Sequence, residues 1–319
     1  MTGNQPILLI PRTVPLTVIS SLRRWSLHQD IDPAFNTPLV DSIGQFGIIH
    51  PPIMRKEGED TFELICGANR MAIAHQLNLT HIVCLEVDVQ ASPDHLLGLI
   101  LEDQRRGGDL SVMEKARFHA LCDQYLDHKK ARAVKARTDI GKKSTHSHYS
   151  KLLELELLIR NGLHYGHISE RSGFAMSPLA TQDRLALAEF FVRFQVGANK
   201  QLKFIDTCKI ISATRQCSIA DIFNDPELIS LVAGGQETNI PQTVDRIAKA
   251  LNARAHPLSV QAKGDFDRYK QSLGLPTHCT ITPSQAFEND TVWLNVAFSS
   301  RDSLNALWPQ LRPLLAKKV

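Results

Sequence analysis

Apolar residues recur at helical spacing early in the chain, at Leu39, Ile43 and Phe46. Residues three and four positions apart lie on one face of an α-helix, so this spacing predicts a short helix with one apolar face. Gly47 follows directly and is expected to end that helix, because glycine readily takes the left-handed conformation that closes helices.

Strands and helices then alternate up to about residue 108. Residues 52–55 and 62–65 flank a turn and predict two strands. Gly67 follows the second strand and opens a predicted helix. A third strand is predicted over 81–89, which is rich in β-branched residues. We therefore predict the α+β class, with a mixed α/β domain over 1–108.

The pattern becomes entirely helical after this first domain. Ser111 is followed three residues later by Glu114, a capping box that marks the start of a helix. Helical spacing of apolar residues continues to about residue 214. These features predict an all-helical middle domain over 109–215.

The last part of the chain ends in an alternating strand followed by an amphipathic helix. These two elements are too small to fold alone. A partner for them is expected either within 218–290 or from another subunit. We predict a small α/β domain over 216–319, with dimerisation as its expected role.

Composition matches that of a soluble globular protein, with 43% hydrophobic and 22% charged residues. The six cysteines are scattered without a C-x-x-C pair, which argues against a zinc site or a disulfide framework. An early apolar run over 7–10 is closed by Pro11 and is too short for a signal peptide, and no run approaches a membrane span. We expect a cytoplasmic protein with no membrane partner.

Positive charge is concentrated in one segment. Residues 129–151 contain eight Lys or Arg and one acid, Asp139, a net charge of +7 that leaves −4 for the rest of a chain whose total is +3. A basic segment in an otherwise acidic chain indicates a polyanionic partner. A solvated helix face is the alternative interpretation.

Within this segment the order of residues is typical of a helix-turn-helix. One helix is predicted over about 129–137, and a second from Ser144, a suitable N-cap, to about residue 159. A recognition helix presents short polar side chains to base edges while nearby lysines contact phosphates. The predicted DNA-binding residues are Lys142, Lys143, Ser144, Thr145, His146, Ser147, His148 and Lys151.

A candidate anion site lies where the second strand runs into Gly67. A strand, a glycine turn and a helix start bring free backbone N–H groups toward one point, which suits a phosphate. Arg70, one turn into the helix, can donate charge-assisted hydrogen bonds to the same anion. Taken alone, a tight turn with a surface arginine explains the same residues.

A second candidate lies at Glu102, Asp103 and Arg106. Magnesium is usually held by one or two carboxylates plus phosphate oxygens, so one of the adjacent acids could hold the cation while the other orients a water. Arg106 is expected to share a helix face with Glu102. A surface ion pair of little energetic value is the alternative.

Taken in order, these stretches resemble the ParB-type chromosome and plasmid partition proteins over roughly residues 35–175. Gly67-Ala68-Asn69-Arg70 falls where that family has Gly-Glu-Arg-Arg. The stretch 102–106 falls on its Glu-Asn-x-x-Arg motif. Residues 141–153 resemble its recognition helix, and residues 162–167 resemble its "G.LS.GHA" element.

The resemblance implies a ParB/sulfiredoxin-like N-terminal fold, and a nucleoid-associated homodimer that CTP and magnesium close as a clamp on double-stranded DNA. It implies nucleotide contacts at Gly67, Ala68, Asn69, Arg70 and Arg106, magnesium at Asp103 and Glu102, and Glu102 as the acid near the attacking water. Ala68 and Asn69 depart from the family's glutamate and arginine. Losing an arginine removes charge that a triphosphate site needs, so at most a weak CTPase is expected.

The leading hypothesis is a DNA-binding protein that acts in DNA partition or in site-specific regulation. Two alternatives to it stay open. One is a nucleotide-dependent enzyme of the same fold, of the small-molecule kinase type, with Glu102 as base. A sulfiredoxin is disfavoured, because Ala68 stands where its cysteine follows the glycine and Cys66 lies in the strand. The other is a non-catalytic DNA-binding adaptor that has lost the nucleotide, which Ala68 and Asn69 favour.

Overall fold

The computed structural model describes residues 8–20, 24–28, 37–105, 108–138, 149–233, 240–275, 278–284, 289 and 291–316. The chain divides into two compact units. The first comprises residues 1–206 and 218–224, and the second comprises residues 207–217 and 225–319. The domain boundaries expected from the sequence, at residues 108 and 215, stay predictions.

A four-stranded sheet lies in the N-terminal part of the first unit. Its strands are β1 (Leu9–Pro15), β2 (Ile53–Lys56), β3 (Phe62–Cys66) and β4 (His81–Val87), in the order β1-β4-β2-β3. Strand β2 is parallel to β4, whereas the β1–β4 and β2–β3 pairs are antiparallel. Strand β1 contains Pro11 and Pro15, which lack a backbone N–H, and this fits its place at the sheet edge.

Helices cover both faces of this sheet. They are α1 (Thr37–Phe46), α2 (Ala68–Gln76) and α3 (Pro93–Arg105). Successive strand residues point to opposite faces, so Ile53 packs in one core with the apolar side of α3, and Met54 packs in the other with α2. The sheet therefore fixes the start of α2 relative to α3.

The helix predicted at Leu39–Phe46 is confirmed, but its apolar face is only partly correct. Gly47 has a φ of 72° and donates its N–H to the Ile43 carbonyl at 2.9 Å, as expected for a helix end. Ile43 is buried, whereas the Phe46 side chain is 65% exposed. Phe46 is the last residue of α1. Helical spacing predicts which face of the helix a side chain lies on, but it does not show whether a packing neighbour reaches far enough to bury that side chain.

The described elements in the rest of the first unit are helices. It contains α4 (Val112–Tyr125), α5 (His128–Lys135), α6 (Tyr149–Leu153), α7 (Leu157–His164), α8 (Glu170–Met176), α9 (Thr181–Arg193), the first half of α10 (Ala198–Arg215) and α11 (Ile219–Phe223). The capping box predicted at Ser111 is confirmed: its backbone N–H donates to Glu114 Oε2 at 2.7 Å, and the Glu114 N–H donates to its hydroxyl at 3.2 Å.

The continuous helix predicted up to residue 159 is wrong in its described part. Helix α6 ends at Leu153 and α7 begins at Leu157. Glu156, the residue before α7, has an extended backbone with ψ 150°. Its carboxylate accepts two hydrogen bonds from Arg184 of α9, at 2.5 and 3.0 Å. This tertiary contact favours a break that local helical spacing does not reveal.

The second unit contains the end of α10 and a helical part followed by a hairpin. Its other elements are α12 (Pro226–Ala233), α13 (Ile240–Ala255), α14 (Pro257–Ser272), β5 (Cys279–Pro283), β6 (Val292–Val296) and α15 (Arg301–Ala316). Strand β6 and helix α15 are the predicted strand and helix. The partner strand is β5, antiparallel to β6, so it lies within 218–290 as one of the two expected possibilities.

The mixture of helices with two small sheets confirms the predicted α+β class. Among the described residues, no helix combines the length and the apolar character that crossing a membrane requires.

Candidate functional site

A cavity of about 320 Å³ lies in the first unit, between the start of α2 and the C-terminal half of α3. This volume is at the lower end of the range for small-molecule sites. Five residues singled out in the sequence line it together: Gly67, Ala68, Asn69, Arg70 and Asp103. The fold therefore brings the two candidate motifs to one place.

Gly67 shapes the wall of this cavity through its backbone. It has a φ of 94° and precedes α2, and its carbonyl accepts the first helical hydrogen bond, from the Met71 N–H at 3.0 Å. A Cβ at this position would lie 3.0 Å from Pro52 Cβ and 3.1 Å from Arg70 Nε. Both the left-handed conformation and the close approach of Arg70 therefore require glycine.

Arg70 is held across the cavity by hydrogen bonds from both ends of its guanidinium. Its Nη1 donates to the His50 carbonyl at 2.6 Å, and its Nη2 donates to Asp103 Oδ2, also at 2.6 Å. The side chains of Arg70 and Asp103 are only 16% and 18% exposed. Arg70, the residue predicted to bind phosphate, is therefore a partly buried cation that is already paired with a carboxylate.

Glu102, in contrast, lies outside the cavity lining. Its side chain is 58% exposed and accepts hydrogen bonds from Arg105 at 3.3 Å and from Arg137 at 2.9 Å. Adjacent helical residues point about 100° apart, so only one of the two neighbouring acids can face the cavity. Arg106 lies outside the described residues, and its predicted nucleotide contact stays a prediction.

Two polar atoms of the cavity residues are buried without a hydrogen-bond partner among the described residues. They are Asn69 Oδ1 and the indole nitrogen of Trp25. An unsatisfied buried polar group costs about 1–3 kcal/mol. These two groups are therefore available to hydrogen-bond with water or with a bound molecule.

The cavity offers few ligands for a cation. Asp103 is its only carboxylate among the described lining residues. Within the described part of the chain, no group of three His, Cys, Asp or Glu side chains is arranged to hold a metal. A metal held by protein side chains alone does not fit this arrangement. A magnesium ion held mainly by phosphate oxygens and by Asp103 does.

A polar network connects the cavity wall to the helical layer through Glu114. Glu114 Oε1 lies 2.7 Å from His28 Nε2 and accepts a hydrogen bond from Gln104 Nε2 at 3.1 Å. His28 and Gln104 both line the cavity. The other oxygen of Glu114 caps α4, and the capping hydroxyl of Ser111 lies 2.9 Å from His164 Nδ1 of α7. One carboxylate thus joins the cavity to two helices.

Comparison with known families identifies the fold around this cavity. The model of the ParB N-terminal domain family matches residues 5–100. The chain carries a ParB N-terminal domain. The resemblance to ParB-type proteins drawn from the motifs is thereby confirmed, as is the ParB-type fold expected for this part of the chain.

Curated relatives agree with this assignment. A probable chromosome-partitioning protein ParB of Borreliella burgdorferi is 31% identical over 144 residues, which are 45% of this chain and 52% of the relative. A protein of the same name from Neisseria meningitidis serogroup A is 31% identical over 179 residues, which are 53% of this chain and 58% of the relative. The chain spans about half the length of the curated relatives it matches.

Solved structures of the C-terminally truncated ParB from Caulobacter crescentus are also similar. The one complexed to the centromeric parS site is 20% identical, with a TM-score of 0.26, and covers 60% of this chain and 95% of that chain. The one complexed with CTP-gamma-S is 20% identical, with a TM-score of 0.23, and covers 57% of this chain and 98% of that chain. Global likeness this low supports no inference about the present chain.

The predicted DNA-binding segment follows the ParB N-terminal domain, and the structure describes only its edges. Residues 142–148, which include seven of the eight predicted contacts, lie outside the described residues. Lys151 is described and is exposed on α6. In α5, Lys129, Lys130 and Arg132 are exposed as well.

Lys135, in contrast, does not belong to this exposed basic surface. It is only 8% exposed, and its ammonium group forms an ion pair with Asp123 of α4. It therefore holds α5 against α4. Part of the positive charge counted in the sequence is thus used in a contact between helices and is not exposed.

Several residues that line the cavity are not evident from the sequence. Trp25, His28, His50 and Gln104 line the cavity. Trp25, His28 and His50 belong to none of the motifs, and Gln104 occupies an unspecified position within the motif at 102–106. Only the tertiary fold brings them together. A tryptophan at position 25 outside any predicted element was the one available signal.

Cys66 lines the cavity but is a poor nucleophile there. It is buried, and this burial, followed by the nearby charge of Asp103, raises the pKa of its thiol far above the usual value. The thiolate is the reactive form of cysteine. This agrees with Cys66 as a small hydrophobic residue and gives no support to a sulfiredoxin-type reaction.

The Glu114 network predicts a dependence of stability on pH. Burial alone would raise the pKa of Glu114, but hydrogen bonds from His28 and the Ser111 backbone lower it to about 2. The unfolded value is about 4.3. A depressed carboxyl pKa contributes stability that is present above the unfolded value and is lost as pH falls toward the folded one. This contribution is on the order of 3 kcal/mol at neutral pH.

We expect Glu114→Gln to lower the free energy of unfolding, with a loss that is largest near neutral pH and shrinks between about pH 5 and pH 2. Urea unfolding of both proteins across this range measures the difference. Glu154→Gln, which removes an exposed carboxylate just after α6, is the matched control and should show little effect. A Glu114→Gln loss that is constant with pH would contradict the assignment.

Proposed function

We propose that this chain is a DNA-binding protein of the ParB type whose N-terminal cavity binds a nucleoside triphosphate with magnesium. The observation that carries the proposal is Arg70, a partly buried cation beside the glycine turn at the start of α2. Free N–H groups at a helix start and an arginine together favour phosphate. CTP is the proposed nucleotide on the resemblance to ParB-type proteins.

The DNA-binding part of the proposal rests on charge. The segment 129–151 carries a net charge of +7, and three of its four described lysines, Lys129, Lys130 and Lys151, are exposed. Basic side chains on one surface bind the phosphate backbone of DNA. The curated relatives are named probable chromosome-partitioning proteins, which supports a role in DNA partition. A cytoplasmic, nucleoid-associated location is proposed on the resemblance to ParB-type proteins.

We propose nucleotide binding rather than efficient hydrolysis. Glu102, the acid that a hydrolytic mechanism would use, is exposed and engaged by Arg105 and Arg137. Ala68 and Asn69 add no positive charge beside Arg70. Gly67, Ala68, Asn69 and Arg70 remain the proposed nucleotide contacts and Asp103 the proposed magnesium ligand.

A homodimer formed through the second unit is part of the proposal. A two-stranded sheet is marginal by itself, and β6 exposes large apolar side chains, with Trp293 at 51% and Leu294 at 37%. A second copy of the chain would cover them.

Sedimentation velocity should give twice the mass of one chain, and Trp293→Asp should reduce the mass to that of one chain. A wild-type monomer at micromolar concentration would contradict the dimer.

Two sets of substitutions should separate the two binding activities. Arg70→Ala should weaken CTP binding in the presence of magnesium by about 10–100-fold, because it removes a charged hydrogen-bond donor. It should leave DNA binding without nucleotide intact. Calorimetry with CTP, ATP and GTP measures the first effect, with Arg12→Ala on the sheet edge as control. An equal loss of both activities would make Arg70 a structural residue.

The converse variant, Lys142→Ala with Lys143→Ala, should keep CTP binding and lose DNA affinity. The slope of log affinity against log salt should flatten by about one unit for each lost phosphate contact. Lys263→Ala with Lys270→Ala on α14 removes the same charge from exposed positions and is the control. An unchanged slope would place the DNA surface elsewhere, and no binding of duplex DNA by the wild type at low salt would overturn the proposal.

A further inference from the structure

The guanidinium of Arg70, which the proposed anion would bind, is already paired with the Asp103 carboxylate. The Asp103 carboxylate accepts from Arg70 Nη2 at 2.6 Å, and the His50 carbonyl accepts from Nη1 at 2.6 Å. Charge-assisted hydrogen bonds of this length are strong. An incoming phosphate therefore meets an arginine whose charge a bound carboxylate already neutralises.

No second Lys or Arg side chain among the described lining residues relieves this competition for Arg70. Among the described residues that line the cavity, Arg70 is the only Lys or Arg and Asp103 the only Asp or Glu. The paired side chains sum to no net charge. A polyphosphate entering the cavity thus meets a neutralised arginine and a carboxylate that repels it. Both side chains are more than four-fifths buried, so solvent screens this repulsion weakly.

A divalent cation changes which partner Asp103 prefers. Carboxylates are good ligands for magnesium, which binds through one or two of them together with phosphate oxygens. A carboxylate oxygen that ligates such a cation is a poorer acceptor for Arg70. The cation therefore attracts Asp103 and the phosphates at once, while Arg70 becomes free to donate to the anion.

We propose that Asp103 is an internal occupant of the anion site, which holds Arg70 when the cavity is empty and releases it to a polyphosphate only when a divalent cation takes its place. The proposal rests on nucleotide binding at this cavity and adds its regulation. Asp103 then makes binding conditional on the metal, in addition to serving as a ligand. Free polyphosphate without a divalent cation is rejected.

The test is to replace Asp103 by its neutral isostere. Asp103→Asn removes the charge that competes for Arg70 and also weakens the metal ligand. In EDTA the variant should bind inorganic tripolyphosphate about tenfold more tightly than the wild type. Adding magnesium should improve wild-type affinity by about tenfold or more and the variant's affinity by much less. Calorimetry with and without magnesium measures all four affinities.

Asp94→Asn is the matched control, because it makes the same chemical change on the same helix outside the cavity lining. It should keep the wild-type dependence on magnesium. Asp103→Ala provides a second carboxylate-free variant should Asp103→Asn not fold, as judged by circular dichroism, and should behave in the same way.

The outcomes distinguish this inference from the proposed function. The inference alone is overturned by two results together. The wild type would bind CTP with magnesium, and in EDTA the Asp103 variants would bind tripolyphosphate no more tightly than the wild type does. A wild type that binds neither CTP nor tripolyphosphate with magnesium overturns the nucleotide function and the inference with it. Tighter binding by the Asp103 variants in EDTA, with a reduced effect of magnesium, supports it.

Discussion

The ion pair between Arg70 and Asp103 is the contact on which the candidate site depends. It joins the first turn of α2 to the last turn of α3, and the guanidinium also binds the His50 carbonyl before β2. Gly67 favours this arrangement, since a Cβ there would lie only 3.0 Å from Pro52 and 3.1 Å from Arg70, and its φ of 94° suits glycine. One cation thus holds three separate parts of the chain around a single cavity.

Three consecutive residues of α3 contact three different parts of the structure. Asp103 faces the cavity, Glu102 binds Arg137 beyond the end of α5, and Gln104 binds Glu114 at the start of α4. Because successive helical side chains point about 100° apart, these contacts go to three different neighbours. The same turn of helix therefore connects the cavity to α4 and to Arg137 just after α5, which belongs to the basic segment 129–151.

Local chemistry explains what could be predicted. The capping box at Ser111, the end of α1 at Gly47 and the strand pattern before Gly67 depend on nearby residues, and the structure confirms them. Long-range contacts explain the rest. The break at Glu156 follows from Arg184, and the role of His28 follows from Glu114. No local pattern contains such pairings.

Hydrogen exchange measured with and without CTP and magnesium tests whether the Gly67 turn and Asp103 form one anion site. The first backbone N–H groups of α2 have no helical partner and should exchange rapidly in the free protein. Bound phosphate should slow exchange at residues 68–70 and in the last turn of α3. Saturable CTP binding without protection in these two segments would contradict the claim.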